Sequence, residues 1–475
     1  MQVVSPGSTS AQSGTKGEEP KREVPRRKGS PIVASTIEFQ KDQLAFVDTI
    51  HEEYGDVVVT RIVDRDWYFV RDPDIIHEIN VRRAELFVKP KLAKQIWHLF
   101  LGPNSILTQQ GEPWQRLHDM VAPGFHRFRI EAYAPHMVRY VQNMVAEYTD
   151  GEQRDIRKDI NDLALKIVGK TLFDTNMEGD TNVVFDAMHD LTEMLVEHIN
   201  LPLPIPRWWP SPGNRRKIGA IEAIEKVMYR LVAERKSEGK DHGDLLSAVV
   251  FAKDKQGVPL SPLEVRDNMM TLIFAGHETT AHSATWAWYL LAKNPEKAAK
   301  LHEELKTVVG DRPLDVADLE NLPYLHQVMK ESLRLMPAVW AYMRAPLEDV
   351  TIKGYTFPKE CHIFISPRTL GRDGRSHPNP LAFEPERWTR DYERQLKKGA
   401  YVPFAAGPRV CLGQGFAQME MKLLLGTLIQ NLVPTLVPGF EPDQVPELSL
   451  HPGRRGMQIV VKVREDAPLR KGAKG

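Results

Sequence analysis

The feature that most constrains this chain is one helical stretch of unusual length. Ser261-Pro262-Leu263-Glu264 has the form of a capping box with proline at the first helical position. The helical pattern continues to Lys293, where Asn294-Pro295 ends it. At 1.5 Å per residue such a helix is roughly 50 Å long, enough to cross a large domain. Its middle, Met269 to Gly276, is MMTLIFAG and apolar all round, so it must be covered on every side. A chain of 475 residues would allow about three domains of typical length. A buried rod of this length instead predicts one body assembled around it.

The flanking pattern supports that reading. Ile156 to Phe173 and Asn214 to Lys236 have helical periodicity. Asp56 to Arg71 holds two β-rich runs around Asp64-Arg65-Asp66 and predicts a hairpin. A second β-rich region spans Val350 to Ser366, with turn signals at Gly354 and Pro358, and a third is Met457 to Val463. The expected class is mainly α with small β-sheets, in one large domain over 36–465. A disordered polar tail is expected over 1–35 and a short C-terminal tail over 466–475. Leu201–Pro210, LPLPIPRWWP, suits either a lid over an entrance or a packed loop.

Composition removes several function classes. The 63 basic and 63 acidic residues cancel, which favours neither nucleic acid nor an anionic membrane as partner. No run approaches the 18 apolar residues of a membrane span, and the first 30 residues lack the apolar core of a secretory signal. A cytoplasmic protein without a transmembrane anchor is expected. Two cysteines, Cys361 and Cys411, suit neither a disulfide scaffold nor a cysteine zinc site.

Of the two, Cys411 has chemically pointed surroundings. Phe404 to Gly413 reads FAAGPRVCLG and runs into a helical segment, while Cys361 lies in a β-rich run without such a setting. The pattern Phe-x-x-Gly-x-Arg-x-Cys-x-Gly, at Phe404, Gly407, Arg409, Cys411 and Gly413, resembles the haem-binding loop of the cytochrome P450 family. The chemistry agrees. A thiolate in an apolar pocket needs a cation beside it, which iron supplies. A helix start offers unpaired N–H groups to the sulfur, and Gly407 and Gly413 would let backbone approach a flat macrocycle.

Other segments resemble the family in the same chain order. Glu331 and Arg334, three apart on a helical face, would join Arg387 of Pro385-Glu386-Arg387-Trp388 in a buried structural triad. Ala275-Gly276-His277-Glu278-Thr279-Thr280 is similar to the family's oxygen-binding segment. There Gly276 leaves room for a diatomic ligand, Thr279 would donate a hydrogen bond to iron-bound peroxide, and Glu278 would help relay protons from solvent. The resemblance assigns haem propionates to Trp114, His118, Arg344 and Arg409. Many relatives have arginine where His118 stands, and histidine where Gly371 stands, which removes one possible propionate donor.

The resemblance therefore implies a single-domain cytochrome P450 fold and haem b ligated by Cys411, with Ala275, Phe404 and Gly413 also against it. It implies a monooxygenase that inserts one oxygen atom from O2 into a hydrophobic small molecule. Only 64 residues follow Cys411, so electrons are expected from a separate ferredoxin or flavodoxin served by an NAD(P)H-dependent reductase. Arg116, Arg127, Arg129, Lys397 and Lys398 would supply a docking face. Candidate substrate contacts are Trp97, Phe100, Ala275, Val339 and Trp340. A monomer is expected. The rival functions are a peroxide-driven peroxygenase or a non-catalytic haem protein on the same fold, and a cysteine-nucleophile enzyme that would leave Glu278-Thr279 without purpose.

Overall fold

The capping box at Ser261 closes in the way its sequence predicts. Glu264 N–H donates to the Ser261 hydroxyl at 3.2 Å, and Ser261 N–H donates back to the Glu264 carboxylate at 2.8 Å. The computed structural model describes residues 20–29, 35–173, 183–184, 187, 190–191, 194 and 212–469. The predicted segment Leu201–Pro210 lies outside the described residues. The helices that shape the site are α1 (Gly111–Val121), α2 (Arg127–Ala146), α3 (Ile156–Phe173), α4 (Pro212–Glu238), α5 (Pro262–Lys293), α6 (Pro323–Leu335) and α7 (Gln414–Asn431).

The long helix α5 is the axis of the molecule. Helices α3, α4, α6 and α7 pack against it, and Met269, Met270 and Ile273 are buried, as an all-round apolar segment requires. Further along, Trp286 and Trp288 are also buried, and each indole N–H finds a carbonyl, Leu450 O at 2.8 Å and Thr435 O at 3.2 Å. Those two bonds tie the C-terminal segment to the axis.

At one side lies a five-stranded sheet in the order β1-β2-β8-β5-β3. Its strands are β1 (Val57–Ile62), β2 (Arg65–Val70), β3 (Phe87–Val88), β5 (Tyr342–Pro346) and β8 (His362–Ile365). Only the β2–β8 pair is parallel. The predicted hairpin forms, but one step earlier than Asp64-Arg65-Asp66 suggested. Ile62 pairs with Arg65, so the turn is Val63-Asp64, with Val63 at φ 56°. A tight two-residue turn needs positive φ, and the register places it on Val63. The second region gives the hairpin β6 (Val350–Ile352) and β7 (Tyr355–Phe357) through Lys353 and Gly354, both at positive φ. The third gives β11 (Gln458–Val460), paired with β4 (Gln153–Asp155), beside a small hairpin of β9 (Val445–Pro446) and β10 (Leu450–His451).

Residues 20–29 differ from the expected free tail. Arg27 N–H donates to Val59 O and Val59 N–H to Pro25 O, both at 2.9 Å, so this segment covers the outer edge of β1. Arg26 pairs with Asp66, and Arg27 lies over the Phe46 ring at 5.0 Å. A polar composition hid a strand-edge contact made largely by backbone.

The predicted triad is present and larger than three residues. Glu331, fully buried, accepts from Arg334 Nε at 2.8 Å and Nη2 at 2.7 Å, and from Arg387 Nε at 3.0 Å. Trp388 Nε1 and Glu384 N–H each add a bond at 2.9 Å. Arg334 in turn donates to the carbonyls of Gly371, Pro380 and Ala382. Gly371 packs against this cluster, where a Cβ would lie 2.1 Å from Arg334 O. Glycine is what lets this backbone reach the arginine.

Removing Glu331 would strand two buried guanidinium groups. Glu331→Ala is expected to cost about 3–5 kcal/mol, read as a lower urea midpoint. A loss under about 1 kcal/mol would show the network to be dispensable.

Candidate functional site

The Cys411 loop is shaped by backbone before any side chain acts. Cys411 N–H donates to Phe404 O at 2.9 Å, Val410 N–H to Gly407 O at 3.0 Å, and Gln414 N–H to Cys411 O at 3.2 Å, where α7 begins. Gly407 has φ 68°, and a Cβ there would sit 1.9 Å from Asn80 O. Its smallness thus serves the seating of the loop on the turn at residues 78–82 rather than the approach of a macrocycle. Gly413 is open, with Phe125 as its nearest neighbour at 3.8 Å. Cys411 is accessible and lines a cavity, whose depth pushes the thiol pKa up while the Gly413 N–H draws it down.

That cavity has a volume of about 380 Å³. Its walls bring together Cys411, Phe404, Arg409 and Gly413 from the loop, and Trp114 and His118 from α1. Ala275 and Thr279 come from α5, and Arg344 from β5. The Thr279 hydroxyl donates to Ala275 O at 2.8 Å, the bond to a preceding carbonyl expected of it. Glu278 is not part of the wall. It stands beside Thr279 on α5, and burial holds its carboxyl up to about 7, with the charges of His451, Glu447 and Arg157 acting on it.

The electrostatics of the wall are one-sided. Lys89, Arg344 and Arg409 all line the cavity, and among the described residues no carboxylate does. Arg409 lies 3.8 Å over the Trp114 ring and donates to Gln109 O at 3.2 and 3.3 Å. Arg344 donates to Met343 O at 3.0 Å, and Lys89 to Leu107 O. Burial, then the two neighbouring arginines, pushes the Lys89 ammonium well below its usual range; burial and Arg344 bring Arg409 to about 10. Charges held out of water without a counterion call for an anion. A soft sulfur donor, three cations and otherwise apolar walls fit a haem with its two anionic propionates.

Several expected roles move. Gly276 borders the cavity, and a Cβ there would point at Val168 of α3, 3.2 Å away, which lines the same cavity. Val339 and Ala275 line the cavity; Trp97, Phe100 and Trp340 do not. Trp97 packs edge-on to Phe274, Phe100 is core, and Trp340 gives its N–H to Glu447 O at 2.9 Å. Ile106, Leu107, Leu272 and Tyr342 occupy the wall instead. The proposed docking cations are mostly neutralised: Arg116 by Asp254 and Glu264, Arg127 by Glu131 and Glu320, Arg129 by Asp241, and Lys397 by Asp74. Lys89 was missed. Its one sequence signal is a lysine directly after the apolar pair Phe87-Val88, which does not reveal that β3 turns it inward.

The pattern of the family described as Cytochrome P450 matches residues 25–458. The cyclooctatin synthase of Streptomyces melanosporofaciens is 30% identical over 90% of this chain and 93% of its own. The cyclooctat-9-en-7-ol 5-monooxygenase of the same organism is 29% identical over 86% and 89%, and the pentalenene oxygenase of Streptomyces avermitilis 26% over 91% and 96%. The solved structure of the cytochrome P450DA haem domain superposes with a TM-score of 0.85 at 22% identity, covering 94% of this chain and 99% of that one. Retinoic-acid-bound cyanobacterial CYP120A1 gives 0.82 at 24%, covering 94% and 100%. No described helix is long and apolar enough to cross a membrane.

The two loop glycines should separate in unfolding experiments. Gly407→Ala is expected to destabilise by at least about 2 kcal/mol, through positive φ and collision with Asn80. Gly413→Ala should cost less than about 1 kcal/mol. Equal losses would show that the contact with residues 78–82 does not shape the loop.

Proposed function

The chain belongs to the cytochrome P450 family and is a haem monooxygenase, and from that premise we propose how its own residues divide the work. Cys411 ligates haem b. Lys89, Arg344 and Arg409, with Trp114 and His118, hold the propionates, and Ala275, Phe404 and Gly413 border the ring. The observation that carries this assignment is the convergence of one cysteine and three cations on a single cavity whose walls, among the described residues, hold no carboxylate.

When bound, the haem supplies the activation of dioxygen, with electron density donated by the thiolate. The protein contributes positioning, dryness and protons. Thr279 presents a hydroxyl to the cavity while bonded to Ala275 O, and rotation of that hydroxyl redirects its hydrogen toward dioxygen. Glu278, half protonated near neutral pH, returns the proton that Thr279 passes on. The apolar surfaces of Ile106, Leu107, Val168, Leu272 and Val339 exclude water and receive the substrate.

That lining takes a hydrophobic small molecule. Two relatives are named for acting on pentalenene and cyclooctat-9-en-7-ol, and the substrate proposed for this chain is an apolar molecule of comparable character. Electrons come from a separate ferredoxin- or flavodoxin-type protein. With Arg116, Arg127, Arg129 and Lys397 already ion-paired, its docking depends little on free surface arginine.

Thr279→Ala should keep the cofactor while product formed per electron pair falls about a hundredfold, the lower end of what a positioned proton-transfer group contributes. Coupling in the unaltered protein should be highest below pH about 7, where Glu278 holds its proton, and fall as pH rises through that value. Glu278→Gln should flatten this profile. Coupling unchanged in both variants would remove the pair from the reaction and favour a peroxide-driven chemistry. A Soret shift on adding pentalenene or cyclooctat-9-en-7-ol would place substrate at the cavity; no shift with either would reject that substrate class.

A further inference from the structure

Glu278 faces away from the cavity wall, and what stands on its other side is a file of polar groups leading outward. One turn further along α5, on the same helical face, is His282, buried in the core. Its Nδ1 lies 2.8 Å from the Ser449 hydroxyl. Its Nε2 is buried and has no protein partner. The His451 ring lies against it, with centroids 5.6 Å apart at 31°. His451 Nδ1 accepts from Gly453 N–H at 3.1 Å, so the neutral ring carries its proton on Nε2 and donates to the Glu447 carboxylate at 2.9 Å. The Glu447 side chain is 34% exposed and opens this file to solvent.

A core position between Ala281 and Ala284 does not need an imidazole. A leucine or methionine would fill it without leaving a buried nitrogen, which costs about 1–3 kcal/mol when unsatisfied. A buried polar atom of this kind is ordinarily satisfied by a water molecule. The remaining charged groups around the file are Arg157 from α3 and His277 from α5 itself, the latter bonded to Ile273 O at 3.0 Å. Of the two side chains, only the His277 ring has a hydrogen-bond partner among the described residues, and it is a backbone carbonyl of its own helix.

We propose that His282, with Ser449 and the outer His451–Glu447 pair, is the route by which Glu278 regains protons from solvent. The proposal rests on the reading of Glu278 as proton donor given above. After Glu278 has released its proton toward Thr279, its carboxylate takes one from a water held at His282 Nε2. That water recovers a proton from Nε2–H, the ring takes one at Nδ1 from the Ser449 hydroxyl, and Ser449 is replenished by solvent at Glu447–His451. Loss of the Nδ1 proton to solvent and gain of one at Nε2 from the water there, itself replenished by solvent, restores the first tautomer with no net change in protons. One proton enters from solvent, one reaches Glu278, and no electron moves. His451 and Glu447, hydrogen-bonded at 2.9 Å, form the outer end of the route.

The test uses the holoenzyme and two readouts. The infrared carbonyl band of protonated Glu278, identified by its loss in Glu278→Gln, is followed after a pH jump in resting protein. Coupling and its solvent deuterium isotope effect are followed in turnover. His282→Gln and Ser449→Ala should each slow return of the band by about tenfold or more and enlarge the isotope effect. The reduced CO spectrum and melting temperature should stay near those of the unaltered protein. His451→Gln, at the outer end of the route, should slow the return less than His282→Gln does. If His282→Gln fails to fold, Ser449→Ala, which leaves the ring in place, decides. Band return and coupling within about twofold of the unaltered protein would overturn the route while Glu278→Gln still uncouples. If Glu278→Gln itself leaves coupling unchanged, the reading beneath it fails as well.

Discussion

Three positive side chains held out of water around one cavity are the constraint on which the site depends. Lys89, Arg344 and Arg409 reach the same space from β3, β5 and the cysteine loop, and among the described residues no acidic side chain lines that space. Each buried charge carries an effective penalty of several kcal/mol if left unpaired. Hydrogen bonds to Leu107 O, Met343 O and Gln109 O meet part of that demand and fix where the donors point. The balance falls to an anionic ligand. A flat, iron-bearing anion fits a space lined by Phe404, Ala275 and the sulfur of Cys411.

The fold serves this arrangement by holding its parts from behind. The loop around Cys411 is fixed by its own backbone bonds and by Gly407 pressed on residues 78–82. Glu331 gathers Arg334, Arg387, Trp388 and Glu384 into a buried knot that anchors the end of α6 to the segment leading to the loop. Helix α5 separates two environments. Thr279 faces the cavity, while Glu278 and His282 face polar groups from α3 and the β9–β10 hairpin. One helix thus presents Thr279 to the cavity and Glu278 to a different surrounding.

Features written locally were legible in the sequence. The capping box, the Ile156–Phe173 helix and the ten-residue cysteine pattern depend on spacing alone. Features that depend on which surfaces meet were not. Gly276, Gly371 and Gly407 are recognisable as special, but only packing shows that a Cβ would meet Val168, Arg334 O and Asn80 O. Trp97, Phe100 and Trp340 have the character of pocket residues and are spent on the core and its carbonyls. Lys89 has the character of a surface residue and lies inside. The polar segment at 20–29 pairs through backbone, which composition does not encode.

The account stands on thiolate ligation by Cys411. Its most direct test is the absorption spectrum of the reduced, CO-treated holoenzyme, beside Cys411→His, which offers iron a nitrogen in place of sulfur. The account predicts the red-shifted Soret band of a thiolate-ligated iron in the unaltered protein and its absence from Cys411→His. A haem that binds without that band, or a band that survives the substitution, would contradict it.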